Sequence, residues 1–405
     1  MTRDDLYEVA FRYKKAALWR KLWDNDVFAV RLKSGKVGYI SIMGKNGEYN
    51  ALGLYIGEEG FGSYRVIANA GYTGSEFKDH ELLLKQRCLQ LALEGKEDLL
   101  PDEVTEVRDY AKKNGIKLSG KNAYPQFIKY EPDYHPWKVK TEDDMESLYE
   151  AASAAILLAE ELEKTSPAEL GIDNINQFTA KVPLFEVKGD KLIASGLVDL
   201  PGDLEEKYDY VKADNEILLA SVKKLPKKGI WETELLRMME PVQDDPEEAP
   251  YYPLLLLVVE SKSGYMLPVP MVSGPEIDQQ ELLQEYVKGW KMQGCYPKEL
   301  RCRDERTYAL LKDICEKTEV KVRIYEKEMP MLDEAEEALL EDTLGDDPEE
   351  AMNQFADIID MILNMSKSEL KMIPKPMIEE LKMMMDHDIF PNDIATELKE
   401  KLKGI

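Results

Sequence analysis

Within the first 140 residues, apolar and polar positions begin to alternate in character at Asp26. Asp26-Val-Phe-Ala-Val-Arg-Leu is followed by a polar turn at Lys33-Ser34-Gly35-Lys36 and a return through Val37 to Met43, a pattern that predicts a β-hairpin. Asn50 to Ile56 reads as a third strand, and amphipathic stretches follow at 58 to 68, 79 to 93 and 102 to 113, the last ended by Asn114-Gly115. Pro125 to Trp137 mixes prolines and aromatics without a period and is expected to be ordered surface coil. Thr141-Glu-Asp-Asp supplies an N-cap and an acidic first turn for a helix carrying Leu148, Ala152, Ala155, Ala159 and Leu162 on one face, to about Lys164. That helix either completes a first domain, residues 1–165, or links it to the next.

Near Val182 the period becomes strand-like, and a second α+β unit over 180–330 is expected to begin. Leu184 to Val187 and Leu192 to Leu197 flank a hairpin turn at Lys188-Gly189-Asp190, and Ile217 to Val222 reads as a further strand. Gln243 to Pro250 holds four acids and two prolines, a solvated loop. Leu254 to Val259 is a buried strand, Ser261 to Gly264 a turn, and Tyr265 to Val272 an edge partner because of its prolines. A helix through Leu282, Leu283, Tyr286, Val287 and Trp290 stops at Gly294. A short strand at Leu300 to Arg303, a helix capped by Asp304 and a strand at Val320 to Tyr325 complete the unit. Residues 331–405 form an acidic link and a helical tail: Asp333 to Glu350 has ten acids and no base, and three short Met-rich helices follow. The fold class is α+β, two mixed α/β domains with hairpin-containing sheets plus a C-terminal helical region.

Charge narrows the function classes. With 53 basic and 79 acidic residues the formal net charge is −26, which opposes nucleic-acid binding and docking on anionic membranes. The start, Met1-Thr2-Arg3-Asp4-Asp5, lacks the apolar core of a secretory signal, and a cytoplasmic address is expected. Cys88, Cys295, Cys302 and Cys315 form no Cys-x-x-Cys pair and are expected to be reduced core thiols.

Two stretches resemble uncharacterised bacterial domains. Gly38-Tyr-Ile-Ser-Ile-Met-Gly-Lys-Asn-Gly-Glu-Tyr with Leu52-Gly-Leu-Tyr-Ile-Gly-Glu-Glu-Gly-Phe is similar to the start of one. Ile217 to Tyr325, with Pro253-Leu-Leu-Leu-Leu-Val-Val-Glu and Pro297-Lys-Glu-Leu-Arg-Cys-Arg-Asp, is similar to a second that follows it. Neither resemblance implies an activity.

Residues 250–330 also resemble, distantly, the ribonuclease-H-like core of integrases. That resemblance implies one carboxylate on the first strand and another at the end of the fourth, holding divalent metal for phosphoryl transfer. Glu260 and Asp304 fall at those points, with a third acid among Glu334, Glu336 and Glu337. On this reading the two face one another across adjacent parallel strands and bind magnesium or manganese. Glu stands where the family usually has Asp, and a third hairpin strand is not evident. The plainer reading makes Glu260 a turn residue and Asp304 a helix cap.

Other constellations are incomplete. Gly57-Glu-Glu-Gly60-Phe-Gly62 lacks dinucleotide spacing and a P-loop Lys-Ser/Thr, which predicts a tight strand-to-helix turn and no nucleotide. His80, His135 and His387 stand apart from one another, and Ser195 has no nucleophile elbow. Tyr124, Phe127, Tyr130, Tyr134 and Trp137 either pack between domains or clamp a partner peptide. The expected role is non-enzymatic and mediated by a protein partner; the alternative is a metal-dependent ribonuclease-H-like nuclease or a catalytically inactive relative of one.

Overall fold

The computed structural model describes residues 1–344 apart from 48, 70–75, 177, 203–206, 268–270 and 273–278. The chain divides into two compact units, Met1–Ala335 and Glu336–Ile405, and both sheets lie in the first. The three Met-rich helices expected after residue 350, and His387 with them, fall outside the described residues.

The first sheet starts from the expected hairpin. After α1 (Arg3–Ala16), β1 (Phe28–Arg31), β2 (Val37–Met43) and β3 (Asn50–Ile56) pair antiparallel in sequence. Two helices follow, α2 (Gly57–Asn69) and α3 (Glu76–Leu83), and then β4 (Cys88–Glu94). The stretch 79 to 93 is therefore a helix end and a strand rather than one amphipathic segment. Beyond α4 (Pro101–Lys113) come β5 (Tyr124–Tyr130) and β6 (Trp137–Lys138), so the aromatic stretch expected to be coil is the edge of the sheet. Pro125 is tolerated there because β6 pairs only with Ile128 and Lys129, leaving the proline without an outer strand.

Thr141 caps α5 (Glu142–Glu161) by accepting from the Asp144 backbone N–H at 3.1 Å. The buried face of this helix, including Leu148, Ala152, Ala155 and Ala159, joins the core beneath the first sheet together with α1. The hairpin of β7 (Lys181–Lys188) and β8 (Lys191–Asp199) forms as expected, but it does not begin a second unit. Instead β7 lies parallel to β1, with Ala29 opposite Leu184, giving the order β6-β5-β4-β3-β2-β1-β7-β8.

The glycines at the β3–α2 junction explain themselves sterically. Gly57 turns the chain at φ +68°, and a Cβ on Gly60 would sit 2.9 Å from the Tyr55 carbonyl carbon. The motif lets a helix lie against a strand, as the tight-turn reading expects. Gly60→Ala is accordingly expected to lower stability by about 1–3 kcal/mol through overpacking, measured by urea unfolding. An unchanged midpoint would show that α2 moves freely off β3.

The second sheet is built from α6 (Glu216–Val222), β9 (Ile230–Arg237), β10 (Leu254–Glu260), β11 (Met271–Val272), α7 (Gln279–Gln293), β12 (Glu299–Cys302), α8 (Glu305–Thr318) and β13 (Lys321–Ile324). Residues 217 to 222, expected as a strand, are helical: Asn215 caps them by accepting from the Leu218 N–H, and Leu219 and Val222 face the core. The strand that replaces them is β9. The order is β11-β10-β9-β12-β13, in which β9, β10 and β11 form an antiparallel meander and β9, β12 and β13 run parallel. The third meander strand that was not evident in the sequence is thus present, and it precedes Leu254 rather than following it. Trp231, Leu235, Leu256, Leu300 and Cys302 meet α7 and α8 in one core. A last helix, α9 (Pro330–Leu344), carries part of the acidic segment. No helix among the described residues is long and apolar enough to cross a membrane.

Candidate functional site

The expected carboxylate pair does not meet. Glu260 ends β10 opposite Trp231, near the start of β9, whereas Asp304 follows Cys302, which lies opposite Thr233 further along β9. Strand β9 separates β10 from β12, and these two run antiparallel, so the two acids leave from opposite ends of the sheet. Glu260 is a turn residue, accepting from the backbone N–H of Lys262 (3.1 Å) and Ser263 (2.9 Å) and from Ser263 Oγ (2.8 Å). Burial raises its pKa, but those donors outweigh it and the carboxyl lies below its ordinary value. Asp304 is the N-cap of α8, accepting from the Thr307 N–H at 2.7 Å. The plainer reading of both residues therefore describes them, and the pair does not fit a shared divalent ion. Among the described residues no group of three or more His, Cys, Asp or Glu side chains is placed to hold one.

Counting from β9 as the first strand brings different acids into view. Glu232 and Glu234 alternate with the core residues Trp231, Thr233 and Leu235, so they point to the sheet face away from α7 and α8. Both are buried. Each is answered by an arginine of the fourth strand or its end: Glu232 by Arg301, directly opposite in register, at 3.4 Å, and Glu234 by Arg303. The ladder continues outward. Arg301 Nε reaches Glu299 at 3.2 Å, Arg323 on β13 donates to Glu299 at 2.6 Å, and Arg303 donates to Asp333 in α9 at 2.7 Å. Burial pushes the Glu232 pKa up, opposed by Arg301. Of the acids at the start of α9, the one that joins this ladder is Asp333, which was not among the third-acid candidates; Glu336 and Glu337 belong to the second unit. The sequence signal for the ladder was the Glu-Thr-Glu alternation at 232–234, which reads as solvent-facing until β12 is placed beside it.

A second cluster joins the two sheets. Arg237, 4 % exposed, ends β9 and pairs with Asp133 at 2.8 Å while donating to the Tyr252 carbonyl at 2.8 Å. Glu81 accepts from the Arg237 N–H (3.2 Å) and pairs with Arg306 (3.3 Å). Asp133 adopts a left-handed φ of +71°, unusual for a residue other than glycine, with its N–H on the Leu84 carbonyl and its carbonyl accepting from Tyr252. Two of the sequence's histidines lie here. His80 packs edge-on to Tyr252 at 4.8 Å, and His135 Nδ1 lies 2.9 Å from the Tyr252 hydroxyl.

Burial holds both imidazoles below the ordinary histidine value, so the joint favours their neutral forms. The unfolded chain takes up those protons first as pH falls through roughly 6.5. Stability present above that point is expected to decline below it. Glu81 acts in the opposite sense: burial raises its pKa, so its cost eases as pH falls, but nearer the carboxylate range. Urea midpoints at pH 7 and 5.5 should differ in the native chain and converge in a His80→Gln/His135→Gln variant; an identical pH slope in both removes the assignment.

The aromatic stretch splits by burial. Phe127 is fully buried and packs 5.3 Å from Tyr7, and Tyr124 and Tyr130 pack against the cores. Tyr134 and Trp137 instead line a cleft of about 390 Å³ closed on its far side by the acidic loop before Tyr251. The cysteines match expectation in part: Cys88, Cys302 and Cys315 are buried, the Cys88 thiol pushed up to about 12 by burial, while Cys295 is half-buried.

Fold and sites together define a two-sheet α/β chain in which buried carboxylates are matched to arginines. Residues 4–179 match a family model described as a domain of unknown function (DUF7309), and residues 218–340 match another described as a domain of unknown function (DUF6930). The matched regions correspond to most of the first sheet and to the second sheet. No curated protein matches the chain. Among solved structures it is similar to the HTLV-2 integrase catalytic core domain in complex with magnesium, at 14 % identity and a TM-score of 0.20, over 44 % of this chain and 84 % of that one. It is likewise similar to the simian T-cell lymphotropic virus intasome in complex with the PP2A regulatory subunit B56 gamma, at 14 % identity and a TM-score of 0.20, over 50 % of this chain and about half, 52 %, of that one. At that score neither likeness carries an argument about this chain.

Proposed function

We propose that the chain is a non-catalytic cytoplasmic protein that works by binding another protein. One observation carries this reading: the acids on the first strand of the second sheet are buried against arginines of the fourth. A carboxylate already neutralised and hydrogen-bonded by a guanidinium must give up that partner before it can ligate a cation, at the cost of leaving a buried charge exposed to an apolar surround. Under this reading the integrase-like resemblance is to a catalytically inactive relative. The net charge of −26 supports a protein rather than a nucleic acid as partner.

The test is a cleavage assay on single- and double-stranded DNA and RNA with magnesium or manganese. Native chain, Glu260→Ala and Asp304→Ala are expected to give the same background, with Asp304→Ala losing only the roughly 1 kcal/mol of a helix cap. Metal-dependent cleavage that disappears in Asp304→Ala, in a variant shown to be folded, overturns the proposal.

A further inference from the structure

The cleft beside Trp137 lies between two surfaces of different chemistry. On one side stand the rings of Tyr134 and Trp137 with Lys129, Lys138 and Lys140, and on the other the loop carrying Asp244, Glu247 and Glu248, with about 390 Å³ open between them. Every lysine there is already answered. Lys129 pairs with Glu131 (3.4 Å) and Asp144 (3.3 Å), Lys138 with Asp102 (2.9 Å), and Lys140 with Glu247 (3.0 Å). The acids are not all answered in return. Among the described residues Asp244 and Glu248 pair with no base, and Asp244 accepts only from the Tyr251 hydroxyl, at 2.9 Å.

Acids outnumber bases across the whole chain, so an acidic lining is not by itself a site. Two further features are particular to this cleft. Its rings take cations on their faces, since Lys138 Nζ already stands 5.7 Å from the centre of the Trp137 ring. The indole N–H of Trp137 is also buried without an acceptor, so an occupant gains by bringing a carbonyl oxygen as well as a positive charge. A peptide carries both, whereas a polyamine carries only the charge. The open volume of about 390 Å³ falls in the range of small-ligand pockets, roughly 300–1,000 Å³, and admits a few side chains rather than a domain surface.

We infer that this cleft receives a short arginine-bearing segment of a partner protein. The inference rests on the binding role proposed above and names the chemistry of the partner. A planar guanidinium both stacks on an aromatic face and offers a fork of donors to carboxylates, which a lysine ammonium does not. Here the rings of Tyr134 and Trp137 supply the faces, Asp244 and Glu248 the acceptors, and a backbone carbonyl of the segment answers the indole. Neither acid gives up an ion pair to bind, in contrast to Glu232 and Glu234 in their arginine ladder. The resident lysines stay with their own carboxylates, so no uncompensated cation opposes the incoming charge.

The experiment uses the full chain and a fluorescein-labelled peptide, Gly-Arg-Gly-Gly-Arg-Gly, in about 0.15 M salt, where charges more than roughly 8 Å apart are largely screened. Saturable binding below about 1 mM is expected by anisotropy, weakened about tenfold or more in an Asp244→Asn/Glu248→Gln variant. Both side chains are exposed, so this variant is expected to fold as the native chain does. Glu97→Gln/Asp173→Asn makes the same change of charge at exposed positions outside the cleft and should bind as native. Trp137→Phe, which keeps a ring and removes the N–H, should weaken the peptide and leave spermine binding unchanged. No saturation, equal binding of the peptide with citrulline in place of arginine, or equal loss in the two double variants overturns the cleft as an arginine receptor. Unchanged peptide affinity in Trp137→Phe, or displacement of the peptide by spermine at a lower concentration than by unlabelled peptide, overturns a peptide as the occupant. Either failure leaves the non-catalytic reading to be decided by the cleavage assay, which does not involve this cleft.

Discussion

Arg303→Ala is expected to destabilise the second sheet by about 3–5 kcal/mol, the cost of leaving a buried carboxylate without its counter-charge. Arg303 pairs with Glu234, which is 5 % exposed, and donates to Asp333, so its loss strands one buried acid and releases another. The same logic predicts recovery. Arg303→Met combined with Glu234→Leu removes both charges and keeps their volume, and such exchanges are often neutral or stabilising. Urea unfolding of native, single and double variants measures the coupling directly. A single variant within about 0.5 kcal/mol of native would mean that water reaches Glu234, and the argument against a cation there would go with it.

The other large effect is expected at Trp290. This residue is fully buried on α7, with its ring 5.2 Å from Tyr286 and stacked 5.8 Å from Tyr296. Trp→Ala in a packed core costs about 3–5 kcal/mol through lost burial and the cavity left behind. The position matters because α7 carries the chain from the antiparallel meander to the parallel strands, and its packing sets where β12 begins. Trp290→Phe should cost markedly less, since most of the aromatic surface stays. Equal losses in the two variants would show that the core does not close around the smaller ring, and would remove the volume argument.

How far the sequence revealed this fold depends on how local each signal was. The β1–β2 hairpin, β3, α5, the β7–β8 hairpin, β10, α7, β12, α8 and β13 are each written in a single window of alternation, turn residues and caps, whereas the expected strand Tyr265 to Val272 is, among the described residues, a strand only at Met271–Val272 with an isolated bridge at Met266. What failed was read from windows that lacked their partner. Residues 217–222 are a short apolar run that fits strand or helix equally, and only Asn215, one cap, separates the two. Strand β9 alternates Trp, Thr and Leu with Glu, Glu and Leu, and its acids look solvent-facing because the arginines that pair with them lie on β12 and just beyond its end. The placement of β7 beside β1 is wholly non-local. Asp304 was legible as a cap from its own neighbourhood, but the idea that it meets Glu260 required knowing which strand comes first, and that strand was the one missed.

The parallel seam between β1 and β7 has a bearing on synthesis. As the nascent chain emerges, β1 has β2 on one side within a few residues but must wait for the hairpin beyond residue 180 to cover the other. A polypeptide cut at 179, where the first matched region ends, would leave Ala29 and Val30 with bare peptide groups along an apolar border, an invitation to pair with whatever strand arrives first. The borders of a matched sequence region and those of a body that can fold unaided need not coincide, and here the sheet runs to Asp199.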